Sequence, residues 1–354
     1  MKRRLLIVTA LALFAFLIRV ELKAHDDDAN SRLAYLSKRI DADDFPGFAP
    51  GEPFHGEWKL MSLSWTATAA TNLAFRDPST RAERAAQLER WAARILAPNM
   101  RDYETQQWGT DAFDTLDRAE GHAGYLGHVA LTLDAACLLG AKRDESLHAR
   151  IIESLARRIG ASPQGLIETY PNEIYVADNV VVMAGIAQYD ACVGKPLHAE
   201  LIRDWVEKLR TNWVDPHTGV LVFAPGQPSR GSGAAWNSFY LPFIDEALAA
   251  EQSREMWATF GDSALGGWLV GIREWPEGEG GGGDVDSGPL IMGISPSATG
   301  FALGDLTLRG AERKGVLRIA ELTGVTLGGR YVTAPLVGDA IVLAARTATR
   351  WTKR

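Results

Sequence analysis

Carboxylates crowd into two short, irregular stretches of this sequence. In "ETYPNEIYVADN", Glu168, Glu173 and Asp178 recur every five residues, with Tyr170 and Tyr175 between them. In "GGGGDVDSGP", Asp284 and Asp286 follow four glycines and precede a Gly-Pro break. Acidic groups around one pocket can divide into a raised-pKa acid and an ionised base, as they do in glycosidases. Glycine loses the most backbone entropy on ordering, so such a run implies close approach of the backbone to a ligand or a crowded centre. Each stretch also has a plainer reading. Asp178 would cap a helix opening at Asn179. Asp284 and Asp286 would close a turn, or begin a calcium loop whose later ligands are missing.

Other candidates lie outside these runs. His128, in "GYLGHVAL", stands at the start of an otherwise apolar helix, where it is either an acid–base group or a satisfied core residue. Arg230, in "PSRGSGAAW", precedes a helix among small residues, a setting that suits an anionic group. Trp108 and Trp275 sit in Gly- and Pro-rich stretches, where aromatics often face ligands. The expected catalytic set is therefore His128, Glu173, Asp178, Asp284 and Asp286. Trp108, Glu168, Tyr170, Tyr175, Asn179, Arg230 and Trp275 are expected to bind substrate. No CxxC, HExxH or Walker loop occurs, and His122 and His128, six apart, do not share a helix face. No metal or cofactor is implied. Cys137 and Cys192 lie in apolar helical runs and are expected as buried free thiols.

The elements that must hold these groups are helices. "ESLHARIIESLARRIG" and "HAELIRDWVEKLRTNW" carry one apolar face each, so they should lie outside. "HVALTLDAACLLG", "NVVVMAGIAQYDACVG" and "PLVGDAIVLAARTAT" are apolar all round and should lie inside. Only "GVLVFAP" and "GGRYVTA" read as short rim strands. Compact breaks near 76–79, 140–144, 194–197, 250–252 and 309–311 alternate with long connectors over 98–121, 161–177, 214–234, 265–295 and 323–334. Alternation sends every long connector, and the chemistry it carries, to one end of the array. The pattern predicts an all-α fold, an (α/α)6 toroid of paired antiparallel helices, with an open superhelical solenoid as the alternative.

With 354 residues, of which 46% are hydrophobic, the chain can bury a sizeable core, and its formal charge of −7 argues against nucleic acid as a partner. Lys2, Arg3 and Arg4 precede an apolar run over residues 5–18, which is signal-peptide length. Residues 1–24 are thus expected to be a signal peptide or an uncleaved membrane anchor, and 25–354 one toroidal domain. The product would be exported, periplasmic or membrane-anchored, and able to form a homo-oligomer.

From "WGTDAFD" through "YLGHVAL", "GLIETYPNEIYVADN" and "REWPEG" to "GDVDSGPLIMGISPSATGFAL", the chain resembles the linalool dehydratase/isomerase family, over roughly 108–304. The resemblance implies an (α/α)6 fold with His128, the 168–179 segment and the Asp284–Asp286 loop around one pocket. That family's dehydratase uses two cysteines nine residues apart; the corresponding positions here are Thr169 and Asp178. The resemblance therefore implies a lyase or isomerase acting on a hydroxylated small molecule with carboxylates in place of thiols. Two alternatives stand beside it: a glycoside-cleaving or uronic-acid-modifying enzyme, and a catalytically silent toroid that binds glycan or lipid at the cell envelope.

Overall fold

Beyond α1, the helices that lack a polar stripe have no face to turn to solvent, and they take the interior of this structure. The computed structural model describes residues 2–25, 28–47 and 54–351, with side chains from Thr9 onward. Helix outweighs strand, 64% to 6%, so the fold is all-α. In chain order the first helices are α1 (Lys2–His25), α2 (Ala29–Asp41), α3 (His55–Arg76), α4 (Arg81–Ile95) and α5 (Pro98–Trp108). They are followed by α6 (Ala123–Leu139), α7 (Glu145–Ala161), α8 (Val176–Val193), α9 (Ala199–Asn212), α10 (Gly231–Tyr240) and α11 (Glu246–Phe260). A sheet of β1 (Gly261–Ala264), β2 (Leu269–Arg273) and β3 (Ile294–Ser295) follows, ordered β1-β2-β3 and antiparallel throughout. The chain ends with α12 (Pro296–Leu308), α13 (Lys314–Gly324), the hairpin β4 (Thr326–Leu327) and β5 (Arg330–Tyr331), and α14 (Leu336–Thr347).

The packing order separates two classes of helix. α3 packs on α6, α6 on α8, α8 on α10, α10 on α12, and α12 on α14, and α14 returns to α3. α4, α7, α9, α11 and α13 each lie against members of this series, and α2 lies against α14 and α3. The expected inner segments 129–139 and 180–191 are almost wholly buried. Segments 146–159 and 199–211 bury one face only. Their starts and stops follow local chemistry. The Asp144 carboxylate accepts from Leu147 N (2.9 Å) and Ser295 Oγ from Ala298 N (3.0 Å), capping α7 and α12. Left-handed Gly140 and Gly194 end α6 and α8.

Several expectations need correction. The 98–121 connector contains α5. The 265–295 connector contains β2 and most of a three-stranded sheet, because Leu265, Gly266 and Gly267 all take positive φ and reverse the chain into a hairpin. "GVLVFAP" forms no strand, only the isolated Val214–Leu221 bridge, whereas part of "GGRYVTA" is β5. Cys137 and Cys192 are not free thiols but a disulfide. Both lie in the last turn of α6 and α8, neighbours that end at the same level, and their Cα atoms are 5.9 Å apart. Among the described residues no helix is long and apolar enough to cross a membrane. The side chains of residues 2–8, the cationic start and first apolar residues, lie outside that description.

Candidate active site

One large cavity, about 1250 Å³, opens where the connectors meet the first turns of α3, α8, α10 and α12. Carboxylates of Glu57, Glu173, Asp178 and Asp286 line it, with Tyr170 and Tyr175, against an apolar wall that includes Trp236, Phe301 and Ile341. Glu173, Asp178, Asp286, Tyr170 and Tyr175 thus stand where the sequence reading places them, on one cavity.

Local folding accounts for that placement. The 168–178 segment turns tightly at Asn172, whose φ is +66°, and the turn is closed by Thr169 N donating to Glu173 O (2.8 Å). Asn179 fixes the segment to α8. Its amide donates to Ile167 O (3.0 Å) and accepts from Ile167 N (2.8 Å). α8 opens at Val176 with Tyr175 at its N-cap, so Asp178 is not the cap of a helix at Asn179. Its carboxylate turns instead to the Thr169 hydroxyl, which donates to it at 2.8 Å. Thr169 and Asp178 are therefore a bonded pair.

Glu57, in the first turn of α3, completes the group and was not singled out from sequence. The Tyr170 hydroxyl donates to Glu57 Oε2 at 2.8 Å. Burial, reinforced by the charges of Asp178 and Asp286, pushes the Glu57 carboxyl up to about 8. Burial also raises Asp178, to about 6, where the Thr169 bond holds it back and Asp286 pushes it up. Asp286 is reachable from solvent, yet enclosure by protein and the nearby Asp284 raise its carboxyl. Between about pH 6 and 8, therefore, the Asp178 carboxyl is ionised while Glu57, on the same cavity, keeps its proton.

The remaining candidates do other work. Asp284 lies outside the cavity lining. Its Oδ1 accepts from Asp286 N and Ser287 N (both 3.1 Å), and its Oδ2 takes Arg230 Nη2 at 2.6 Å. Burial works against its ionisation, but the Ser287 N–H and Arg230 outweigh it and hold the carboxyl below its usual range. Asp284 thus shapes the turn that presents Asp286. Arg230 is not open to an anionic ligand, since its other edge is bonded to buried Glu274 (2.7 Å) and its faces meet Phe223 and Trp275. Trp275 donates to Gly282 O (3.2 Å), bracing the glycine run instead of lining the cavity. Glu168 accepts from Asn172 N (3.1 Å) and stays outside the lining, and Asn179 is consumed by its backbone bonds. Trp108 stacks on His122, whose Nδ1 meets Glu104 at 2.9 Å. Burial drives that pair neutral, lowering His122 and raising Glu104.

His128 lies beneath the cavity floor. Its Nδ1 is bonded to Ser64 Oγ (3.0 Å), its ring meets Trp236 edge-on, and burial lowers it to about 3. A neutral imidazole behind Trp236 does not touch a ligand in the cavity, so its expected direct catalytic contact is corrected. Lys59, a cation of the lining, is occupied by Asp43 (2.9 Å). The cavity thus joins an acidic cluster to a wall that mixes apolar side chains with neutral polar ones such as Asn99, Gln106 and Thr299.

Compared with known proteins, the sequence matches no family model and no curated protein. The likeness to the linalool dehydratase/isomerase family rests on the motifs quoted above.

Proposed function

We propose that this protein is an exported, membrane-tethered lyase or isomerase that performs acid–base chemistry on an apolar, hydroxylated substrate. The observation that carries this reading is the Glu57–Asp178 pair: two carboxyls on one cavity, each with its own hydroxyl partner, raised to about 8 and about 6. Environments that push two titrating groups apart assign acid and base. In a dehydration, Glu57 gives its proton to the substrate hydroxyl, the C–O bond breaks and water leaves. Asp178 takes a proton from the neighbouring carbon as the double bond forms. Isomerisation would return the water at another carbon.

An (α/α)6 toroid of paired antiparallel helices, over residues 25–354, is the architecture proposed to hold this site. The inner helices pack in succession and α14 returns to α3, which supports closure over an open solenoid. The disulfide supports export, since such bonds persist in oxidising compartments. The acidic lining disfavours uronic acids and other anionic substrates. A glycoside-cleaving enzyme and a silent binding toroid remain as outcomes of the test.

That test is incubation with a panel of allylic alcohols and neutral glycosides in heavy water, with products followed by mass spectrometry. The expected result is turnover of an alcohol with deuterium incorporation, and a bell-shaped pH profile with limbs near 6 and 8. Glu57→Gln and Asp178→Asn should each lower turnover by about 10²–10⁴-fold. Glycoside cleavage alone, or binding without turnover, would replace the proposal by the corresponding alternative.

A further inference from the structure

Most of the exposed large apolar side chains fall into two groups, with Phe54, Val193 and Leu197 lying apart from them. One group is on α1, where residues 9–15, "TALALFA", are exposed on every side of the helix, Leu11, Leu13 and Phe14 among them. A helix docking into a protein groove hides one stripe; a helix apolar all round suits surroundings that are apolar all round. The base of the same helix is built into the body. Val20 is fully buried, and Ala24 packs with Leu303, Val316 and Tyr331. Glu21 takes two bonds from Arg318 (2.7 and 2.9 Å) and one from Trp268 Nε1 (3.2 Å), and Arg19 donates to the Thr326 carbonyl. Removal of residues 1–24 would strip these partners away.

The second group starts at the cavity mouth and includes two neighbouring turns. Ile291 lines the cavity and is 49% exposed, and Met292 beside it is 86% exposed. Leu327 and Val332 are exposed on the β4–β5 hairpin, whose Tyr331 lines the cavity. Leu265, 74% exposed, tips the β1–β2 turn. Hydrogen bonds tie the base of α1 to two of these loops. Thr326, held by Arg19, precedes Leu327, and Trp268, held by Glu21, follows Leu265 in the same turn. Exposed Arg330 adds a cation to the hairpin, and Lys2, Arg3 and Arg4 begin the chain. Apolar residues bordered by cations match an anionic lipid surface.

We infer that α1 and this apolar collar form one membrane-docking face, with α1 retained in the lipid and the cavity mouth set against the bilayer. The cavity then draws a membrane-partitioned ligand from the lipid phase. This inference deepens the proposed tether and substrate class, but its test needs no turnover, so a failed substrate screen would leave it standing.

The test uses the full chain in vesicles of phosphatidylethanolamine and phosphatidylglycerol. One cysteine is added at a time, Met292→Cys, Leu327→Cys or Leu197→Cys, and labelled with an environment-sensitive dye. Leu197 is exposed in the compact α8–α9 break and serves as the control. Nitroxide lipids labelled near the headgroup should quench the dyes at 292 and 327 several-fold more than the dye at 197. Equal quenching at the three positions would overturn the inference. So would cross-linking through 292 between two copies without lipid, which would make the collar a dimer interface. Intact mass should show vesicle-bound protein that keeps the residues before Ala24; a chain beginning after it would remove the anchor.

Discussion

Glu57 is half-buried and its carboxyl stays protonated well above its ordinary value of 4.5, up to about 8. Between those pH values the folded protein keeps a proton that the unfolded chain has released. Raising the pH through this window therefore drains stability. Glu57→Gln should flatten that loss, by an amount on the order of a few kcal/mol at the alkaline end, reduced by cavity solvent and by coupling to Asp178 and Asp286. Urea unfolding of both proteins across the window measures it; parallel curves would mean the carboxyl titrates near its ordinary value. Asp178, Glu173, Tyr170, Tyr175 and Asp286 were legible beforehand because irregular, acid-rich connectors rarely serve packing alone. Glu57 was not. An acid in the first turn of a helix reads as a partner for the helix dipole, and its raised carboxyl comes from burial and from Asp178 and Asp286, which lie more than a hundred residues away in the chain.

At the level of elements, periodicity separated buried from one-faced helices well, because a missing polar stripe is visible in the residues themselves. The sheet was harder. β1, β2 and β3 are short, and while a tight turn joins β1 to β2, β3 pairs only after a 20-residue irregular connection. The cysteines were misjudged for the same reason: apolar helical runs say that a thiol is buried, not which helix lies beside it. The disulfide closes a loop of 55 residues between the packed helices α6 and α8, the second of which opens on the cavity. Cys137→Ala with Cys192→Ala should lower unfolding free energy by about 2–4 kcal/mol. Turnover should persist at low temperature, because the bond lies in the last turns of these helices while Asp178 lies in the first turn of α8. Calorimetry beside an activity assay separates the two, and an unshifted melting temperature would deny the bond a structural role. Arg230 was read as an anion binder because sequence shows a cation among glycines but not the Glu274 and Asp284 carboxylates that fold around it.

For the whole molecule, the return of α14 to α3 is the feature with the longest reach. Asn72 on α3 donates to Ala344 O at 3.1 Å and accepts from Trp351 Nε1 at 2.8 Å, and Arg32 on α2 is bonded to Asp339 on α14 at 3.2 Å. These contacts join residues roughly 280 positions apart, so the entropy of closing the chain is met before they are rewarded. A ribosome making this protein releases the first helices long before their last neighbour exists. Until residues 336–351 emerge, the flank of α3 that faces α14 has no partner and stays open to chaperones and proteases. Ribosome-bound chains arrested before residue 336 should be protease-sensitive, with resistance appearing only after α14 is free. In the proposed exported protein, late closure is also an opportunity. The nascent protein stays threadable for as long as its two ends are kept apart, and the time available to the export machinery is set by how late α14 is synthesised.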